Sequence, residues 1–191
     1  MIFILIGKSC SGKTTLAKEL ERWGCERIIT YTTRPKRPNE IDGVDYHFVS
    51  EEYFKQKEDL GFFMESAEYE MTGGKVWYGS AKESYEDSDG ITDKVIVLNP
   101  EGLNQVIDQC DRKTIQHIKV VYLDTDAYIR HERAFKRGDS SEEIDKREYE
   151  DFYSFAGIDL LCDIRIREEL HSPEDIAEWL MNYPLLLSDI R

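Results

Sequence analysis

Residues 2–6 are all apolar, and residues 7–14 follow them as Gly-Lys-Ser-Cys-Ser-Gly-Lys-Thr. Gly, four residues, then Gly-Lys-Ser/Thr is the pattern of a phosphate-binding loop set between a strand and a helix. The run Leu16-Ala17-Lys18-Glu19-Leu20 supplies the helix. The constraint is physical: a polyphosphate needs many donors around one small volume. Gly7 and Gly12 are expected to let the backbone turn sharply there. The N–H groups along Lys8, Ser9, Cys10, Ser11, Gly12, Lys13, Thr14 and Thr15 then face one anion, and the helix adds its positive N-terminal end. Lys13 brings a mobile charge to the outer phosphates, and the Thr14 hydroxyl is the candidate metal ligand. Amides aimed at an anion also favour a thiolate, which makes Cys10 a candidate reactive thiol.

The rest of the chain alternates between elements in a way that extends this unit. Apolar, Val- and Ile-rich runs at 2–6, 95–98, 118–123 and 162–166 read as strands. Helices are expected at 13–23, 51–59, 101–109, 126–137, 141–155 and 173–182. Ser140 with Glu143 forms a capping-box pattern, and Ser172 before Pro173 is a good N-cap. Apolar strands alternating with helices predict an α/β fold, a parallel sheet covered by helices on both faces. Residues 30–80 break the rhythm, are rich in Tyr, Thr, Arg and Glu, and read as an inserted substrate subdomain of short strands and turns. The domain reading is one domain over 1–191, with core segments 1–29, 91–136 and 148–191, an insert at 30–90 and a lid at 137–147.

Charge limits the partners. The formal net charge is −14 over 191 residues, which argues against nonspecific binding to nucleic acid or to an anionic membrane. An anionic substrate must be captured by a local basic site. The stretch 30–49 provides one: it concentrates Arg34, Lys36 and Arg37, with Glu40 able to orient a guanidinium and Tyr46 able to donate to a phosphate. The four cysteines are scattered with no Cys-x-x-Cys pair, which points to free thiols in a reducing compartment. No leader peptide and no membrane span is expected, and the compartment expected is the cytoplasm.

The string Thr-Thr-Arg-x-x-Arg-x-x-Glu-x-x-Gly-x-Asp-Tyr-x-Phe-Val over 32–49 resembles the monophosphate-binding segment of guanylate kinases. Phe63-Met64-Glu65-Ser66-Ala67-Glu68-Tyr69 and Trp77-Tyr78-Gly79-Ser80 resemble that family's base-binding stretch. The likeness runs from the phosphate loop to the last helix and is strongest over 7–14 and 32–49. It implies a P-loop kinase that uses ATP with Mg²⁺ and takes GMP or dGMP as acceptor; a monomer or a homodimer is expected. It implies that Arg34, Arg37, Tyr46 and Tyr78 hold the GMP phosphate, with Glu40 supporting Arg37. Glu65 would accept the guanine ring N–H and amino group, beside Gly79, and Thr30 and Ser80 would offer hydroxyls to guanine O6. Arg133, Arg137 and Arg147 would close over ATP and join Lys13 and Arg34 in stabilising the transferring group.

Three departures stand out. Thr30 and Tyr31 replace two small serines, and Asn39 replaces a glycine. Val97 and Asn99 replace an acidic pair that helps organise the metal and the GMP side. Two other readings therefore stay open: a kinase of the same fold with another phosphorylated acceptor, or a guanylate-kinase-like module that binds a protein partner. Such modules typically lose phosphate-loop residues, and Gly7, Gly12, Lys13 and Thr14 are all present here.

Overall fold

The computed structural model describes residues 1–71, 74–86 and 92–188. The elements run β1 (Ile2–Gly7), α1 (Lys13–Arg22), β2 (Glu26–Arg27), β3 (Tyr31–Thr32), β4 (His47–Phe48), α2 (Glu51–Asp59), β5 (Phe63–Met71) and β6 (Gly74–Ala81). They continue with β7 (Lys94–Val97), α3 (Pro100–Gln109), α4 (Arg112–Ile115), β8 (Ile118–Leu123), α5 (Ala127–Arg137), α6 (Ser141–Ser154), β9 (Ile164–Ile166) and α7 (Pro173–Ser188). The chain divides into two compact units. The expected insert boundary at 90–91 lies outside the described residues.

The first unit comprises Met1–Arg27, Thr92–Pro100 and Ile118–Arg191. Its sheet has the strand order β2-β7-β1-β8-β9, and every pairing is parallel. β1 lies at the centre and is buried at every residue, as a strand with both faces covered must be. On one face Phe3 and Leu5 meet Leu16, Ala17 and Leu20 of α1 and Ile176, Ala177 and Leu180 of α7. Those helix positions recur at three- and four-residue spacing, so one stripe of each helix turns inward.

The helix ends follow their cap chemistry. The Ser140 hydroxyl accepts the Glu143 N–H while Glu143 accepts the Ser140 N–H, closing the expected capping box at α6. Ser172 and Asp175 make the corresponding exchange at α7. β9 starts later than the expected 162, because the Cys162 N–H is already bonded to the Ile158 carbonyl and closes a turn. α7 runs past the expected 182 to Ser188.

The second unit comprises Ile28–Ile91 and Glu101–His117. Its sheet has the order β4-β3-β6-β5. β5 and β6 form a long antiparallel hairpin where the sequence suggested only short strands. Burial comes in runs along it rather than alternating: residues 63–65 and 79–81 are all buried and residues 68–70 all exposed, so the period-two pattern of a one-sided strand is missing. Phe54 of α2, Phe63 and Trp77 make its buried aromatic core, and Tyr31, Val49 and Phe62 pack against it. A tyrosine in the place of a small serine is accommodated there: the Tyr31 ring sits 4.5 Å from His47 and 5.7 Å from Phe63. Among the described residues no helix is long and apolar enough to cross a membrane.

Leu20 is fully buried between α1 and α7. Leu20→Ala is expected to lower unfolding free energy by about 2–5 kcal/mol, read from urea denaturation. An unchanged midpoint would show that this helix face does not carry the core.

Candidate active site

The phosphate loop leaves β1 at Gly7, which pairs with Leu123 of β8. A Cβ on Gly7 would lie 2.4 Å from Ser11 Oγ and 2.9 Å from the Leu123 carbonyl oxygen. Space, not a special backbone angle, is therefore what requires glycine at position 7. Gly12 is different: its φ is 94°, a conformation costly for a residue with a Cβ. It serves as N-cap of α1 with no side-chain cap, and the first turn carries no acid. The positive end of α1 is thus open to an outside anion.

Lys13 Nζ donates to the Gly7 carbonyl at 2.5 Å and to the Lys8 carbonyl at 2.8 Å. Burial pulls its ammonium down to about 8, with the Asp151 carboxylate opposing the shift. Thr14 is exposed on the first turn of α1. The Ser9 N–H donates to Asp151 Oδ2 of α6 at 2.8 Å, and the Thr125 hydroxyl donates to the Ser11 carbonyl at 3.1 Å.

The three arginines expected near this loop are found on α5 and α6. Arg133 donates to the Cys10 carbonyl at 3.3 Å. Arg137 and Arg147 both grip the Asp139 carboxylate, and Arg137 holds that carboxyl below the usual range. A cleft lined by Ser9, Cys10, Arg130, Asp139, Arg147 and Glu148 lies between these groups. Arg130, Asp139, Glu148 and Asp151 belong to no sequence motif and were missed by sequence reasoning. Arg130 is 4% exposed and donates to both oxygens of Glu148, at 2.8 and 2.9 Å. That guanidinium holds Glu148 below the usual carboxylate range.

The second unit gathers Arg34, Arg37, Glu40, Tyr46 and Tyr78. Here the structure adds a pairing to the expected one: Glu40 contacts Arg37 but holds Arg34 more closely. Arg34 donates to the two Glu40 oxygens at 3.0 and 2.7 Å, to the Pro35 carbonyl at 2.8 Å and to the Tyr78 hydroxyl at 3.0 Å. Its guanidinium also lies 5.5 Å from the Tyr46 ring centre. Arg37 gives Glu40 its backbone N–H at 2.8 Å and a looser ion pair at 3.9 Å, and its side chain is 70% exposed. Position decides this. Arg34 is fastened to β3 through its backbone N–H and the Thr32 hydroxyl, whereas Arg37 sits on the outside of the loop.

Glu65 lies in the hairpin, 5% exposed. The register slips between Phe63 and Glu65, and this bulge sets Glu65 opposite Ser80. Ser80 Oγ donates to Glu65 Oε1 at 2.8 Å, so its one hydroxyl proton is committed to the carboxylate rather than held out for a base oxygen. Gln105 of α3, which sequence reasoning missed, clamps the next residue: its amide exchanges two 2.9 Å bonds with the Ser66 backbone. Gly79 packs rather than binds. A Cβ there would meet the Glu65 carbonyl oxygen at 2.9 Å and the Phe54 and Phe63 rings at 3.1 Å. The Thr30 carbonyl accepts the His47 N–H at 2.9 Å. Val97 ends β7 and packs against the core, so it offers no polar group at that strand end.

A parallel sheet flanked by helices, with a phosphate loop after its central strand, defines a P-loop kinase fold. Two solved structures share it: guanylate kinase from Anaplasma phagocytophilum, at TM-score 0.68 and 21% identity, covers 96% of this chain and 83% of its own. Shikimate kinase from Acinetobacter baumannii has TM-score 0.52 at 17% identity, covering 98% and 93%. The family model for guanylate kinase matches residues 1–154. The chain belongs to the guanylate kinase family. Guanylate kinase from Nitrosococcus oceani is 36% identical over 159 residues, 75% of this chain and 74% of that protein. That from Desulfotalea psychrophila is 33% identical over 149 residues, 76% and 70%. The match to guanylate kinase from Bartonella henselae, at 44% identity, is shorter: 87 residues, 45% of this chain and 37% of that protein.

Cys10 holds φ at 61° inside the loop, a left-handed conformation that strains a side chain. Such a residue costs about 1–2 kcal/mol, against about 0.5–1 kcal/mol of added freedom in the unfolded chain on mutation to glycine. Cys10→Gly is therefore expected to raise stability by about 0.5–1 kcal/mol in chemical denaturation. Destabilisation would mean that Cys10 packing outweighs the strain.

Proposed function

We propose that this chain transfers the γ-phosphoryl group of ATP to the phosphate of GMP or dGMP, yielding ADP and GDP or dGDP. The observation that carries the reading is the open, acid-free N-terminus of α1 behind Gly12, in a chain of the guanylate kinase family. No covalent intermediate is required, since the work is positioning and charge neutralisation. The Ser9 and Ser11 N–H groups are taken by Asp151 and the Lys8 carbonyl, so the other loop amides hold the ATP phosphates, and Lys13 leaves its two carbonyls for them. Arg133, Arg137 and Arg147 neutralise charge as it builds on the transferring group, the last two exchanging Asp139 for phosphate oxygens.

Mg²⁺ is expected with ATP. Thr14, an exposed hydroxyl on the first turn, suits this hard cation together with phosphate oxygens and water. Among the described residues no three His, Cys, Asp or Glu side chains cluster to hold a metal, so the nucleotide would supply most of its ligands. When bound, the ion offsets phosphate charge.

On the acceptor side, Arg37 reaches for the GMP phosphate from solvent, while Arg34, fixed by Glu40, presents its remaining N–H. Tyr46 and Tyr78 line the same place. Glu65 accepts the adjacent N–H donors of guanine, whereas adenine would set an acceptor against it. The compartment assigned is the cytoplasm, where four free thiols are stable.

A coupled assay with ATP and a panel of GMP, dGMP, IMP, AMP, UMP and ribose phosphates tests the reading. GMP and dGMP are expected to be preferred. The panel is broad because Val97 cannot supply an acid at its strand end, and a chain inert towards GMP would transfer the assignment to another acceptor. Lys13→Ala is expected to cut transfer by about 10³-fold or more while leaving the circular dichroism spectrum intact. Full activity in the folded variant would remove the loop from the mechanism.

The two acceptor arginines should separate. Arg37→Ala is expected to raise KM for GMP about tenfold, leaving KM for ATP and the melting temperature nearly unchanged. Arg34→Ala should raise KM for GMP and also lower the melting temperature, because it strands Glu40. Equal thermal effects of the two changes would contradict the Arg34–Glu40 assignment.

A further inference from the structure

A buried chain of hydroxyls ends on Glu65. Tyr85 follows the short turn after β6 and is 1% exposed, and Ser80 is completely buried. The Tyr85 hydroxyl lies 2.8 Å from Ser80 Oγ, and Ser80 Oγ lies 2.8 Å from Glu65 Oε1. An ionised carboxylate can only accept. Ser80 has one hydroxyl proton and gives it to Glu65, so its oxygen must accept from Tyr85. The direction is therefore set: Tyr85 donates to Ser80, and Ser80 donates to Glu65.

We propose that Tyr85 is a positioning residue for base recognition: its phenol holds the Ser80 hydroxyl in the orientation that donates to Glu65. The inference rests on the reading of Glu65 as the guanine acceptor. A carboxylate offers about four lone-pair sites. The Ser80 hydroxyl takes one on Oε1 and the Ser80 backbone N–H takes another, leaving about two for two adjacent N–H donors. With the phenol gone, nothing orients the Ser80 hydroxyl, and the arrangement with a proton on Glu65 and Ser80 accepting from it gains ground. That arrangement turns one acceptor into a donor facing guanine donors.

The electrostatics supports this division of labour. Burial raises the Glu65 carboxyl to about 7, and the Ser80 hydrogen bond pulls against that rise. Tyr85 itself is pushed well above the ordinary phenol range by burial, with the nearby Glu65 charge adding to it. Cys110, at the end of α3, also faces Tyr85 and is raised by burial. Neither Tyr85 nor Cys110 changes charge near neutral pH, so Glu65 is the member of this cluster that titrates there. Its ionised form is the one that accepts guanine, so GMP use should decline as pH falls through about 7.

The test is kcat/KM for GMP from about pH 5.5 to 9, which reports groups of the free enzyme. It is run on the wild type, Tyr85→Phe, Ser80→Ala, the double variant and Glu65→Gln. Titration of the GMP phosphate is common to all five, so only differences between proteins are read. Tyr85→Phe keeps the ring and removes one O–H. It is expected to move the acidic limb up by about half to one pH unit. That lowers kcat/KM about three- to tenfold at pH 6.5, mainly through KM, and much less at pH 9. Ser80→Ala should move the limb at least as far. Adding Tyr85→Phe to Ser80→Ala should move it no further, because Tyr85 acts through Ser80.

A limb that stays put in Tyr85→Phe, or a loss by the same factor at every pH, would reduce Tyr85 to a packing residue. So would additive shifts in the double variant, or a Ser80→Ala limb identical to the wild type. Glu65→Gln separates this failure from failure of the underlying reading. It is expected to remove the Glu65 limb and most of the preference for GMP over IMP. If both survive in Glu65→Gln, Glu65 does not read the base, and the role of Tyr85 falls with it.

Discussion

Carboxylates hold the arginines of this chain in place. The protein carries a formal charge of −14 and yet its loops are built to receive anions. Long-range attraction works against it, so each cation must be local and already oriented. Arg34 is clasped by Glu40, Arg130 by Glu148, and Arg137 and Arg147 share Asp139. A guanidinium held by two parallel bonds loses less freedom when a phosphate arrives than one ranging through solvent. The cost is competition, since the incoming phosphate must displace or share the carboxylate. Arg37, 70% exposed and only loosely paired with Glu40, meets less of that competition and gives up order instead.

The two glycines of the phosphate loop show how different demands select one residue type. Gly7 is required because the Leu123 carbonyl and the Ser11 hydroxyl press on its backbone. Gly12 is required because the loop must turn through a left-handed conformation before α1 can start. Cys10 adopts a similar conformation without being glycine, so the loop carries strain at the position nearest the Arg133 contact. In the second unit the same economy appears at Gly79, where two aromatic rings and a strand carbonyl leave no room for a methyl group. That packing fixes the backbone beside Glu65.

Much of this was legible from the amino-acid order, for reasons of range. Strand burial, helix stripes and caps are written within a few neighbouring residues. Ser140 and Glu143, or Ser172 and Asp175, need only three residues of separation to find each other. The phosphate loop is equally local, and the resemblance over 32–49 named the residues that gather around Arg34. The long hairpin was harder, since its buried and exposed positions come in runs rather than alternating. Glu40 illustrates the limit: two arginines lie within six residues of it, and spacing favours neither.

The sequence by itself determined the alternation of apolar strands and amphipathic helices, the anion-receiving loop at the start of α1 and the family to which the chain belongs. These follow from composition over short windows, where backbone geometry leaves few alternatives. Only the tertiary structure decided which carboxylate holds which arginine, that Asp151 meets Ser9 across 142 residues, and that the Ser80 proton goes to Glu65 with Tyr85 behind it. A hydrogen bond between distant residues is settled by the packing that brings them within 3 Å and by the count of donors and acceptors left there. Neither quantity exists until the chain has folded.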